Sequence, residues 1–145
     1  MMNGVASNQY TKARVITANP LELVIIAYEG AIHALESGKL CLLEKKYEQK
    51  ERALLKAQNI INELHSSLNM EAGEIAERLA NLYNYMIRKI LYADLHKDVE
   101  GLEEIIKMLK ELKDAWETIQ TEETRYPADP FKSQAQPRRI ASVVA

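Results

Sequence analysis

Three histidines, one cysteine and a short basic run are the side chains in this sequence whose types and spacing could do chemistry. A metal centre between helices needs carboxylate and imidazole three residues apart, so that both project inward from one face. His33 follows Glu29 by four residues, His65 follows Glu63 by two, and His96 sits in a polar stretch. None has that spacing, so the three read as unrelated surface or boundary residues. Cys41 lies in an apolar run with Leu40, Leu42 and Leu43, a setting that raises a thiol's pKa and favours packing over nucleophilic attack. Phosphate-cradling and zinc-protease motifs are absent from the sequence. The basic run Lys45, Lys46, Lys50, Arg52 and Lys56 is interleaved with Glu44, Glu48 and Glu51, which describes a solvated helix surface. The expectation is therefore a protein that is not an enzyme, with no cofactor and no metal.

With catalysis set aside, the elements that carry these residues become the question. The chain has 145 residues, enough for one domain with a real core, and its 47% hydrophobic and 28% charged residues are those of a globular protein. Five glycines and four prolines occur, and Pro127, Pro130 and Pro137 all lie beyond residue 125, so the middle of the chain is nearly free of helix breakers. A formal net charge of -2 with mixed signs gives no footprint for nucleic acid. No apolar run reaches the ~18 residues of a membrane span, and one cysteine cannot form an internal disulfide. These features lead us to expect a cytoplasmic protein with no membrane insertion.

Periodicity predicts four helices, at about 20–44, 48–69, 73–94 and 98–121. The first opens on Asn19-Pro20-Leu21-Glu22, with an N-cap Asn, Pro at the first helical position and a Glu able to return a capping bond. Leu54, Ala57, Ile61, Leu64 and Leu68 mark one face of the second helix, and Ile75, Leu79, Leu82, Met86 and Ala93 one face of the third. The fourth carries Val99, Leu102, Ile105, Ile106, Leu109, Leu112, Trp116 and Ile119. Short connections make neighbours antiparallel, so the fold class is all-α, an antiparallel up-and-down four-helix bundle over 19–122. Residues 1–18 lack sustained periodicity and read as an extended or frayed lead-in. From 123 to 145 the chain gains Pro, Ser and Gln and reads as a mobile or loosely docked tail.

The bundle has more apolar surface than it needs. A bundle helix devotes about three positions in seven to the core, yet Leu21, Leu23, Val24, Ile25, Ile26, Ala27 and Tyr28 wrap nearly all round the first helix. Tyr83, Ile87, Ile90, Leu91 and Tyr92 fall off the face assigned to the third helix, and Ile60 stands beside Ile61 in the second. Soluble monomers rarely expose contiguous apolar patches above a few hundred Å², so something must cover this surface. The N-terminal segment (Val5, Tyr10, Val15, Ile16), the tail (Tyr126, Phe131, Ile140, Val143, Val144), a second copy and a partner helix all remain open as the cover.

An ordered set of motifs then resembles the flagellar secretion chaperone FliS family. It comprises the lead-in with Tyr10, Thr17-Ala18-Asn19-Pro20-Leu21-Glu22-Leu23, Tyr28-Glu29-Gly30-Ala31, Lys56-Ala57-Gln58-Asn59-Ile60-Ile61-Asn62-Glu63-Leu64, Leu68-Asn69, Leu82-Tyr83-Asn84-Tyr85-Met86-Ile87-Arg88-Lys89 and Asp114-Ala115-Trp116, in order over about residues 8–120. The resemblance implies a cytoplasmic bundle that binds the disordered C-terminal segment of flagellin, prevents its premature polymerisation and delivers it to the flagellar export gate. It also implies that the N-terminal segment lies over the client pocket and gives way, a role mapping here to Tyr10 over Leu23, Ile26, Ile60, Leu64, Tyr83 and Ile87. The tail after Thr124 is longer and richer in proline than the family pattern. The alternative is a structural or regulatory bundle that buries the extra stripe by self-association; the expected state is a monomer or weak homodimer.

Overall fold

The computed structural model describes residues 2–122, 130–131 and 137–144. Six α-helices are present among them: α1 (Met2–Thr17), α2 (Pro20–Leu43), α3 (Tyr47–Ser66), α4 (Glu74–His96), α5 (Val99–Thr121) and α6 (Pro137–Val144), with a 3₁₀ turn at Met70–Ala72 between α3 and α4. Helices α2 to α5 form the expected bundle: α2 packs on α3 and α5, and α4 packs on the same two from the opposite corner.

Capping chemistry sets the ends. The Asn19 side chain accepts from the Glu22 N–H at 2.9 Å, while its amide donates to the Glu22 carboxylate at 3.3 Å, so the return bond reaches the side chain of Asn19 rather than its backbone. Asp98 caps α5 by accepting from Gly101 N–H at 3.1 Å. Helix α4 stops at Lys97, whose φ of 53 reverses the chain before Asp98. Gly73, with φ 84, supplies the left-handed residue that starts α4.

Two regions differ from the sequence expectation. The lead-in is helical: α1 is fastened by Arg14, whose guanidinium donates to both Glu29 oxygens at 2.8 and 3.1 Å, and by Val15, which is fully buried. Those anchors sit in a segment whose apolar residues are too sparse to reveal a helix by periodicity. The tail, expected to be mobile or loosely docked, has its described parts docked on the bundle. Phe131 pairs with Leu68 in an isolated antiparallel bridge, the Asn69 N–H donates to the Pro130 carbonyl at 2.8 Å, and α6 packs against α3, α2 and α1.

The face of α4 is corrected in part, since the expected Leu79, Met86 and Ala93 are buried but Ile75 and Leu82 are not. Its buried stripe is Ala76, Leu79, Tyr83, Met86, Ile90 and Ala93, whereas Ile75 is exposed and Leu82 only half-buried. Both stripes fit a helical period; Tyr83 decides between them because its hydroxyl finds a partner inside the bundle. In α5 the expected Leu102, Ile105, Ile106, Leu109 and Trp116 are buried.

Where helix ends meet, Lys50 is buried at 6% exposure and bonds Asp94 at the far end of α4, with Glu51 a second partner at 3.4 Å. Burial is the largest single influence and opposes its charge, but the bonds and charges of Asp94 and Glu51 together outweigh it and hold the ammonium pKa above its ordinary value. Asp94→Ala leaves the buried Lys50 with only the exposed Glu51 and is expected to cost roughly 3 kcal/mol, whereas replacing the pair together, Lys50→Met with Asp94→Leu, is expected to cost less, as read by urea denaturation. Gly38 marks the tight crossing of α2 on α3, because a Cβ there would lie 2.6 Å from Leu54 Cδ2 and 3.1 Å from its Cγ. Since Leu54 is itself buried, the overpacking cost of ~1–3 kcal/mol exceeds the ~1 kcal/mol helix-propensity gain. Gly38→Ala should therefore lower the melting temperature by a few degrees; an increase would show that the crossing has slack.

Candidate functional site

The residues that could line a docking surface lie on α2 and α3, at their outer side. Within α2, residues 23 to 28 are all buried, an unbroken run from Leu23 to Tyr28. A bundle helix contacts its neighbours through one face only, so the rest of this girth is covered from outside. The cover is α6 together with α1: α6 lies on α3 and α2, and α1 leans on α6 and touches α2.

Gly30 fixes where α6 comes closest. A Cβ at that position would stand 2.9 Å from Val144 Cγ1 and 3.3 Å from Ile60 Cδ1, so the missing side chain is the notch into which Val144 fits. Ile140, one turn earlier, is also buried, and Arg139 places Nη1 3.8 Å from Glu63 Oε1 on α3. The tail is fixed again at Phe131, which stacks edge-on to Trp116 with ring centroids 5.4 Å apart.

The sequence-selected residues divide between this surface and the core. Ile60 stands at the notch, and Leu23, Ile26 and Leu64 are buried on the two helices that form it. Tyr83 lies in the bundle interior, its hydroxyl 2.6 Å from that of Tyr28 and its ring edge-on to Tyr28 at 6.4 Å. Ile87 is half-buried against the core. Tyr10 stands on α1 and is 70% exposed, so among the N-terminal candidates it is Val15 that is buried, while Ile16 is exposed too. The side chain of Val5 and residue Tyr126 lie outside the described residues. Sequence reasoning did not find Gly30 as the contact point; a glycine closing the apolar run of α2, before Ala31, was the available signal.

Not all of the surplus is covered. Leu91, Tyr92 and Leu95 near the end of α4 are exposed, with Leu40 and Leu43 exposed near the end of α2. Among the described residues no group of three His, Cys, Asp or Glu side chains could hold a metal ion, and no helix is long and apolar enough to cross a membrane.

Electrostatics at the site concern what holds the cover. The bond from Arg14 holds the Glu29 carboxyl below its ordinary pKa, with burial opposing. Beneath it, burial pushes the Tyr28 hydroxyl up to about 12 although the bond from Tyr83 opposes, and Tyr83 is raised as well. Burial thus keeps both phenols neutral.

A family model described as Flagellar protein FliS matches residues 1–123. Among curated relatives, the flagellar secretion chaperone FliS of Salmonella typhimurium is 39% identical over 110 residues, which is 74% of this chain and 82% of that protein. Its counterpart in Escherichia coli K12 is 35% identical over 72% of this chain and 79% of its own length. The flagellar secretion chaperone FliS of Bacillus subtilis 168 is 32% identical over 78% of this chain and 85% of its own length.

Removing one hydroxyl of the buried tyrosine pair leaves the other without its partner. Tyr28→Phe is expected to cost about 1–3 kcal/mol, and Tyr28→Phe with Tyr83→Phe less than the sum of the single changes, by denaturant titration. Because the folded pKa of Tyr28 lies above the ordinary tyrosine value, its contribution is complete below pH ~10 and is lost as pH rises toward 12. The alkaline fall in stability should be smaller in the double variant; an identical fall would place its origin elsewhere.

Proposed function

The chain belongs to the FliS family of flagellar proteins, and from that premise we propose that it is a cytoplasmic export chaperone for the disordered C-terminal segment of flagellin. Its curated relatives are named flagellar secretion chaperones, and a non-enzymatic chaperone role in flagellar export is the function this kinship supports. In the fuller reading, the client lies on the apolar outer surface of α2 and α3, with Leu23, Ile26, Ile60 and Leu64 supplying its floor. Ile87 and Tyr83 contribute from α4, Ile87 at the boundary and Tyr83 by shaping the floor from within. Tyr10 travels with α1, which gives way to the client. Held in this way, flagellin cannot polymerise before it is handed to the export gate.

The observation that carries this reading is the unbroken burial of residues 23–28 beneath helices from the two ends of the chain. A disordered client loses ~1–2 kcal/mol of backbone entropy per ordered residue, and each large aliphatic side chain it buries returns about 1.5–3 kcal/mol. Only an extended apolar surface balances that cost. The N-terminal cover is held by few fastenings: among its described side chains, the two-pronged Arg14–Glu29 pair, with both side chains 37% exposed, and the buried Val15.

Calorimetric titration with a flagellin C-terminal peptide is expected to show binding with a clearly negative heat-capacity change. No heat and no complex on gel filtration would overturn the proposal. The exposed Leu91, Tyr92 and Leu95 favour a second reading, in which the protein also self-associates through α4. Under that reading light scattering shows a dimer that dissociates on dilution and that Leu95→Glu abolishes; a monomer at all concentrations excludes it.

A further inference from the structure

We propose that α6, anchored ahead of its start at Pro130-Phe131, is an intramolecular ligand of the α2/α3 surface, which any client docking there must displace. The inference that it competes with the client rests on the chaperone reading; the occupation itself does not.

Three observations on separate parts of the segment support this. Val144 seats in the notch above Gly30 and Ile60, where the absence of a Cβ leaves room for it. Ile140, four residues earlier and therefore on the same face of α6, is buried as well. The preceding Pro130-Phe131 is held by the Asn69 N–H, by the bridge to Leu68 and by the Trp116 ring. A short amphipathic helix laid across an apolar surface, with an aromatic anchor beside it at Leu68 and Trp116, is the pattern of a helix bound in a groove. Arg139 beside Glu63 sets its direction.

Helix α6 has 8 residues, well under the ~12–15 at which an isolated helix becomes even marginally stable in water. Its helicity is therefore conferred by docking, and leaving the surface amounts to local unfolding of the segment, without a rearrangement of the bundle. Such an occupant keeps the apolar surface dry until a client arrives and adds a threshold that weak binders do not cross. It also describes the ligand that fits: a short helix with aliphatic side chains four residues apart, the second small enough for the Gly30 notch, and a basic residue just before the first.

The test uses the full chain and a fluorescein-labelled peptide of its own residues 130–145. In Ile140→Glu/Val144→Glu protein the resident helix is released, and the peptide should bind at least about tenfold more tightly than to the wild type, since a tethered segment competes at an effective concentration on the order of millimolar. Circular dichroism confirms that α2 to α5 remain folded. Adding Gly30→Leu to the released variant fills the notch and should abolish peptide binding, with circular dichroism again confirming that α2 stays folded. Equal peptide affinity for wild type and released variant, no binding to a folded released variant, or binding that ignores Gly30→Leu each overturns the proposal. A flagellin peptide assayed in parallel separates the two readings. If it binds neither protein, the chaperone reading fails while the self-peptide result stands; if it binds both equally, competition by the tail fails and the chaperone reading stands.

Discussion

One helix whose first half lacks a wet face governs this molecule. In α2 the side chains from Leu23 to Tyr28 are all withdrawn from water, yet a helix at the corner of a four-helix bundle meets its neighbours on one side only. Its surplus apolar girth demands a second layer. That layer comes from both ends of the chain, α1 and α6, which meet over α2 and α3. The protein is thus a closed bundle wearing a cover, and core and cover are held by different kinds of interaction.

The core is held by interdigitation. Gly38 lets α2 approach Leu54 closely, and the stripe of α4 brings Tyr83 to Tyr28. From that pair a line of edge-on aromatic contacts runs outward through Trp116 to Phe131, with centroid separations of 6.4 and 5.4 Å. Each such contact contributes about 0.5–1.5 kcal/mol beyond its buried area. The tail is therefore tied to the bundle's centre even though it arrives last in the chain, and the anchor at Phe131 is the firmer of its two fastenings.

The cover is held by less. Helix α1 has one buried aliphatic residue, Val15, and a half-exposed ion pair among its described side chains; α6 has Ile140 and Val144. Such fastenings suffice to keep an apolar surface from water in a lone molecule, because the surface itself supplies the driving force. They are also readily replaced, because whatever covers the same area with equal complementarity gains the same term. A surface of this type tolerates an occupant without being built around one, and this physical property is what a chaperone for an unfolded client requires.

Much of this was legible in the sequence. Asn19-Pro20, Asp98 and the polar breaks near 45 and 97 act locally, so helix ends could be read within a few residues, and the stripes of α3 and α5 follow from period alone. The excess of apolar residues in α2 announced that something must lie over it. What lay over it could not be read. Val15, Ile140 and Val144 lie in segments too short to show which surface their apolar residues meet, and for the tail that surface is more than a hundred residues away. Nor could period choose between the two stripes of α4, since both fit a helix; the partner hydroxyl of Tyr28 made the choice. Composition and local order determined that the chain is a bundle with apolar surface to spare. Only the tertiary structure decided that its own two ends cover that surface, because the decision is made by complementarity between distant parts, such as Val144 above Gly30, which no local pattern encodes.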